Sequence, residues 1–348
     1  MKNGRGRVVL VAGGAGFIGS HLCDALVSEG AHVICVDNFR TGRRQNLFPL
    51  RHDSRFEFIE ADVIDPLKPS LLSSRVPIDA VFNLACAASP AHYQAEPEHT
   101  MLTNVLGTRN LLALAQKKRA RFLLASTSEV YGDPDVHPQT ESYWGNVNPT
   151  GPRACYDEGK RAAEALTFDY RRAGRVSVRV ARIFNTYGPR MRADDGRVVS
   201  NVITQALSGK DITVYGHGSQ TRSFCYVADL VDGLMRLMDY DGEASGPVNL
   251  GNPIELTVNE LVARVLAMTG SRSRVVNRPL PIDDPRRRRP DISLANELLG
   301  WSPRVALDEG LEATITWFAG EGAKVPAGVK ATGRAKGLGG AAAGLAVS

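Results

Sequence analysis

RVVLVAGGAGFIGSHL, residues 7–22, passes from an aliphatic run into a cluster of glycines and then into an amphipathic stretch. The run Arg7–Ala12 has no polar alternation, which is the pattern of a strand buried on both faces of a parallel sheet. Gly13, Gly14, Gly16 and Gly19 follow at the point where a helix would begin, giving G-x-x-G-x-x-G. Glycine is wanted there because the backbone must turn sharply and approach a pyrophosphate closely. The next helix then offers free N–H groups and a positive dipole end. Further apolar runs at Ala31–Asp37, Phe56–Glu60, Ala80–Ala85, Phe122–Thr127 and Val176–Ile183 alternate with helical periodicity at Phe17–Glu29, Pro97–Lys118 and Tyr156–Arg172. This alternation predicts an α/β fold, a Rossmann-type doubly wound parallel sheet with a smaller α/β substrate-binding lobe.

The lobe begins where the pattern becomes polar and irregular, near Asn185. The expected division is residues 1–184 and 222–252 for the cofactor-binding domain, 185–221 and 253–318 for the lobe. Residues 319–348 are rich in Gly, Ala and Lys and poor in large apolar groups, the composition of a disordered tail.

The 348 residues are 43% hydrophobic and 23% charged with a net charge of +5, as expected of a soluble enzyme. That mild basicity suits an anionic small molecule and is no sign of nucleic-acid binding. The five cysteines, Cys23, Cys35, Cys86, Cys155 and Cys225, are scattered without a C-x-x-C pair, so neither a disulfide framework nor a metal site is expected. The histidines show no metal-ligand spacing either, and His92, His99, His137 and His217 read as surface or packed side chains. With no apolar run long enough for a membrane span, a cytoplasmic protein is expected.

Asp37 ends the second strand 18 residues past Gly19, where a carboxylate accepts the ribose hydroxyls of NAD and repels the extra phosphate of NADP. Arg40, Arg43 and Arg44 lie close behind and keep NADP open as the alternative. Asp62, ending the third strand, reads equally as an adenine contact or as a turn residue. Tyr156 and Lys160 are four apart on a predicted helix and so share a face. Thr127 lies at the tip of an apolar strand, followed by Ser128 and Glu129, where open parallel sheets place their ligands.

That combination resembles the extended short-chain dehydrogenase/reductase family, in which the tyrosine is the acid/base and the lysine lowers its pKa. Bringing a tyrosine from about 10 to neutrality takes roughly 4 kcal/mol of differential stabilisation. Five longer stretches narrow the likeness: residues 125–161 (ASTSEVYGDPDVHPQTESYWGNVNPTGPRACYDEGKR), RVARIFNTYGPRM (179–191), DGRVVSNVI (195–203), TVYGHGSQTRSF (213–224) and DDPRRRRPDI (283–292). Together they resemble the UDP-glucuronic acid decarboxylase (UDP-xylose synthase) family from about residue 7 to about 315. Ala12 departs from the threonine more common before the first glycine.

The resemblance implies an NAD-dependent lyase acting on UDP-glucuronate. Oxidation of the sugar 4-hydroxyl, with Tyr156 taking its proton, gives a 4-ketone β to the 6-carboxylate. CO2 then leaves, and reduction yields UDP-xylose with NAD recycled. It also implies catalytic roles for Thr127, Glu129, Tyr156, Lys160 and Arg288. Cofactor contacts are implied for Gly13, Gly16, Phe17, Ile18, Asp37, Asn38, Asp62, Val63, Leu84, Thr103, Tyr156, Lys160 and Arg192, while Arg190 reads equally as a contact or a structural residue. Substrate contacts fall to Glu129, Tyr156, Asn185, Val199, Ser200, Asn201, Arg222 (at the diphosphate) and Arg288 (at the sugar). Ser128 stands where related 4,6-dehydratases carry an aspartic acid, which disfavours loss of water; Glu129 is expected to assist at the 5/6 end of the ring, orienting the substrate through water and repelling its carboxylate. A homodimer paired through Pro97–Lys118 and Tyr156–Arg172 is implied as well. A 4-epimerase and a 4,6-dehydratase on the same scaffold, a decarboxylase that stops at the 4-keto pentose and does not return the hydride, or a non-catalytic NAD sensor are the competing readings.

Overall fold

A computed structural model describes residues 6–66, 71, 73, 76–242 and 246–320. The expected tail falls outside them from residue 321 onward, and its first two residues, Ala319 and Gly320, close the helix Leu307–Gly320. Six strands, β1 (Val8–Ala12), β2 (His32–Asp37), β3 (Phe56–Glu60), β4 (Ala80–Asn83), β5 (Arg121–Thr127) and β6 (Val178–Ile183), lie within two residues of the predicted runs. They form one parallel sheet with an edge strand, Val248–Leu250, in the order Val248–Leu250, β6, β5, β4, β1, β2, β3. The order reverses between β1 and β4, so a crevice opens at the C-terminal ends of these two strands.

Alternate residues of the strands feed two cores. Val9, Val11, Val33 and Cys35 pack under α1 (Phe17–Ser28) and the helix Val227–Asp239, with Leu22, Leu26, Leu230 and Trp301. Leu10, Ala12, Ile34 and Val36 face the helices Thr108–Lys118 and Ala154–Arg172, with Leu111, Leu112 and Ala163. Each such leucine contributes about 1.5–3 kcal/mol by leaving water. The turn from β1 into α1 depends on its glycines: Gly13 has φ +80°, and a Cβ on Gly19 would lie 2.1 Å from the Gly13 carbonyl oxygen.

The continuous helix expected over Pro97–Lys118 is interrupted. Pro97–Leu102 and Thr108–Lys118 are α-helical, and Thr103–Gly107 between them is a π-helical turn. Thr103 Oγ1 donates to the His99 carbonyl (2.7 Å) and Asn104 Nδ2 to the Thr100 carbonyl (3.1 Å), side-chain bonds that compete with the backbone ladder and widen the turn.

The lobe has its own core, in which Ile203 and Leu207 of the helix Val198–Leu207 meet Leu261 and Val265 of Val258–Thr269 and Leu311 and Phe318 of Leu307–Gly320. Helix Val258–Thr269 starts on a capping box: Thr257 Oγ1 accepts from the Glu260 N–H while the Glu260 carboxylate accepts from the Thr257 N–H. Strand Thr221–Ser223 pairs with Glu255–Thr257 and with Arg287–Arg288. Position 222, where the expected division returns to the cofactor-binding domain, is the middle residue of this strand. Among the described residues no helix is long and apolar enough to cross a membrane.

Candidate active site

The crevice is a cavity of about 730 Å³ continuous with a second of about 320 Å³; both are lined by Gly13, Gly16, Leu84 and Cys86. The smaller part lies against Asp37, Asn38, Asp62, Val63 and Thr103. Gly16 caps α1 without a side-chain hydrogen bond, and the first turn carries no acid, so its N–H groups remain available to an anion. Asp37, at the tip of β2, accepts from the Ala15 N–H (2.9 Å) and the Phe39 N–H (2.8 Å), and burial pushes its pKa up. Each carboxylate oxygen keeps a lone pair for a ribose hydroxyl.

Asp62 accepts from Asn38 Nδ2 (2.7 Å), meets His99 Nε2 at 2.8 Å and accepts from the Ile64 N–H (3.1 Å). Burial opposes its charge, but these bonds outweigh it and hold its pKa below the usual range. His99 is thus neither a surface nor a merely packed residue; it fixes the Asp62 carboxylate. Two of the arginines that kept a 2′-phosphate open have carboxylate partners: Arg40, which lines the smaller cavity, pairs with Glu96 and lies 3.8 Å from Asp62, and Arg44 pairs with Glu60 at 2.7 Å. Together these features fit a dinucleotide with a free ribose diol.

In the larger part, Thr127 at the end of β5 meets Tyr156 and Lys160 from the helix Ala154–Arg172. That helix is locked to the sheet by Glu164, which accepts from Ser126 Oγ (2.5 Å) and pairs with Arg182 of β6 (2.8 Å). Lys160 Nζ donates to the Ala125 carbonyl (2.8 Å) and stands 5.8 Å from the centre of the Tyr156 ring. The other face of Tyr156 is stacked on Tyr93, with centroids 5.0 Å apart and planes at 3°. Burial pushes the Tyr156 phenol well above its ordinary pKa, the nearby Cys86 adds to the rise, and a hydrogen bond with Thr127 counters it. Burial likewise lowers the pKa of Lys160.

Glu129, the acid expected at the sugar's 5/6 end, has two arginines beside its carboxylate. Arg288 Nη1 lies 3.0 Å from its Oε1, and Arg153 Nη1 is 3.7 Å from its Oε2. Burial opposes ionisation of Glu129, but the charges of Arg288 and Arg153 prevail and lower its pKa. Arg288 is 1% exposed and also donates to Ser128 Oγ and to the Gly132 carbonyl, each at 2.9 Å. Arg153 and Arg222 both donate to Asp284, at 2.8 Å each.

Arg153, Asp284 and Tyr93 were not anticipated from sequence. The partners of Arg153 and Arg222 on Asp284 are 131 and 62 residues away, so no local pattern announces them. Asn185, Val199, Asn201, Arg222 and Arg288 line the cleft as expected, and so do Phe17 and Ile18. Ser200 does not: it is fully buried, and its hydroxyl donates to the Arg197 carbonyl one turn back. Arg192 reaches the larger cavity while chelating Asp194 (2.8 and 2.7 Å), and Arg190 pairs with Asp24 at 2.6 Å.

Comparison with known proteins agrees with this geometry. The sequence signature described as the NAD dependent epimerase/dehydratase family matches residues 9–251. UDP-glucuronic acid decarboxylase 4 of Arabidopsis thaliana is 56% identical over 310 residues, covering 89% of this chain and 68% of the relative. UDP-glucuronic acid decarboxylase 1 of Danio rerio is 54% identical over 313 residues, 90% and 73% of the two chains. Among solved structures, a UDP-glucuronic acid 4-epimerase from Bacillus cereus in complex with UDP-glucuronic acid and NAD superposes with a TM-score of 0.81 at 28% identity, covering 90% of this chain and 99% of the other.

One titration in the site has a fixed sign. Asp157, next to Tyr156, is 6% exposed, and burial, aided by the Glu129 charge, raises its pKa to about 8 against the opposing charges of Arg153 and Arg288. A carboxyl that holds its proton more tightly when folded adds stability below its unfolded pKa near about 4 and loses it as pH rises through the folded value. Melting temperatures across the range from that unfolded value to the folded one should therefore fall less steeply for Asp157→Asn than for the native chain. Equal slopes would contradict a buried, proton-holding Asp157.

Proposed function

Because the chain belongs to the NAD dependent epimerase/dehydratase family, we infer that it is a UDP-glucuronate decarboxylase, converting UDP-glucuronate to UDP-xylose through a 4-keto intermediate. The observation that carries this reading is the meeting of Thr127, Tyr156 and Lys160 with the Glu129–Arg288 pair in one cleft. An epimerase uses the first three residues alone at the reacting carbon, whereas loss of the 6-carboxylate also calls for charged groups toward the 5/6 end of the sugar, which this pair supplies.

The cofactor is NAD, seated along Gly13, Gly16, Asp37 and Asp62, with Asn38, Val63, Leu84 and Thr103 beside the adenosine half. When bound it supplies a reversible hydride acceptor at the sugar 4-position and a positive charge near Tyr156. Tyr156 takes the 4-hydroxyl proton and Thr127 holds the same hydroxyl. The Lys160 ammonium, immobilised on the Ala125 carbonyl, is the fixed cation that offsets the burial penalty on the phenolate. Once the 4-ketone exists, the electrons of the breaking carbon–carboxylate bond have an acceptor. Glu129, kept ionised by Arg288 and Arg153, cannot itself donate a proton; it orders the water that protonates the 5-position. Ser128, bound to Arg288, offers no acid for dehydration. Arg222 holds the diphosphate, and Asn185, Val199 and Asn201 line the nucleotide end. In this division the parallel sheet carries the cofactor, and residues 185–223 and 253–318 carry the nucleotide sugar.

The chain acts as a homodimer through the helices Pro97–Leu102, Thr108–Lys118 and Ala154–Arg172. Exposed Leu106 beside them and exposed Ala162 and Ala165 support this, since small apolar residues allow close helix pairing. A monomer in sedimentation equilibrium at micromolar concentration would refute it. The compartment we assign is the cytoplasm, consistent with five free thiols; recovery of a tagged chain from another compartment would count against it.

Purified protein given UDP-glucuronate and catalytic NAD should release CO2 and form UDP-xylose by proton NMR, with no net reduced nicotinamide. Tyr156→Phe should still bind NAD while turnover drops by about 10²–10⁴-fold. Formation of the 4-epimer without CO2 would contradict the decarboxylase reading.

A further inference from the structure

We propose that Asp284 fills, with its own carboxylate, an anion seat built by Arg153 and Arg222, and that the substrate must displace it to bind. The proposal rests on the decarboxylase reading for the identity of the anion. Arg153 and Arg222 are 7% and 8% exposed and both line the cleft. Arg153 Nη2 reaches Asp284 Oδ1 and Arg222 Nη2 reaches Oδ2, each at 2.8 Å, so two converging guanidinium groups hold one carboxylate between them. The same donors suit two oxygens of a phosphate or of a hexuronate carboxylate.

Charge makes coexistence unfavourable. The cluster has three cations (Arg153, Arg222 and Arg288) against two anions (Glu129 and Asp284), while the nucleotide sugar brings a diphosphate and a carboxylate. With Asp284 withdrawn, both Arg153 and Arg222 face the ligand. Asp284 is also placed to leave. It lies between the strands Val275–Arg278 and Arg287–Arg288, in a segment with Leu280 and Ile282 at 53% and 72% exposure. Pro281, Ile282 and Pro285 of that segment line the cleft. Its neighbour Asp283, a non-glycine residue at φ +60°, is tethered through Asn148 Nδ2 at 3.1 Å. Side-chain contacts of this kind exchange for a ligand more readily than a sheet ladder. The Asp284 carboxylate is then an internal competitor that sets the affinity for anionic ligands.

Calorimetric titration of the full chain with UDP, UDP-glucose and UDP-glucuronate tests this. In Asp284→Asn, binding should tighten by about tenfold, the gain for a seat otherwise free about a tenth of the time. Tightening for all three ligands assigns the seat to the diphosphate, and tightening for UDP-glucuronate alone assigns it to the carboxylate; either upholds displacement. Arg153→Gln should weaken the same ligands and erase the gain when combined with Asp284→Asn, which separates a vacated seat from a general loosening. Unchanged or weaker binding in a folded Asp284→Asn protein would overturn the proposal. If the native chain binds UDP yet releases no CO2 from UDP-glucuronate, the functional reading fails while the displacement test still stands.

Discussion

The buried ion pair between Glu129 and Arg288 joins the two halves of the molecule. Glu129 lies two residues beyond the end of β5 and Arg288 lies in the lobe strand Arg287–Arg288, so the sheet that positions Thr127 is tied to the lobe. With Arg288 at 1% exposure, losing its partner would leave an uncompensated charge, a cost of about 3–5 kcal/mol. The pair is reinforced by Ser128 and the Gly132 carbonyl on the arginine side, and by Arg153 on the glutamate side.

From that pair the charges alternate outward: Arg288, Glu129, Arg153, Asp284, Arg222. Such an arrangement lets three largely buried arginines and two partly buried carboxylates share one cleft, because each has an opposite neighbour. It also separates two carboxyls that are near in sequence to catalytic groups. Glu129 stays ionised against three arginines, whereas Asp157, facing the Glu129 charge with less compensation, holds its proton. Tyr156 sits beside this cluster with its phenol pushed up by burial, so the approach of cations governs when it can accept a proton.

The sheet was legible because its information is local. Each of the strands β1 to β6 is a short apolar run, and Gly13, Gly16 and Gly19 mark the turn by spacing alone. Asp37, Tyr156 and Lys160 follow from distance along the chain to that turn or to each other. Arg222 and Arg288 entered through family likeness, since a run of four arginines does not say which one is buried. The counter-ions stayed hidden: Asp284 and Arg153 become neighbours only when the lobe folds onto the sheet. The role of His99 has no local signal either, since its partner Asp62 is 37 residues away. Ser200 was misplaced because a helix puts adjacent residues on different faces, and the expectation had assigned three successive residues to one surface.

In the proposed reaction a single site removes hydrogen from the sugar 4-position and returns it there. UDP-glucuronate carrying deuterium at that position measures this directly. The account predicts UDP-xylose with the label retained at the 4-position and none lost to solvent, while the 5-position acquires a solvent proton. Loss of the label, or its absence from the 4-position of the product, would contradict it.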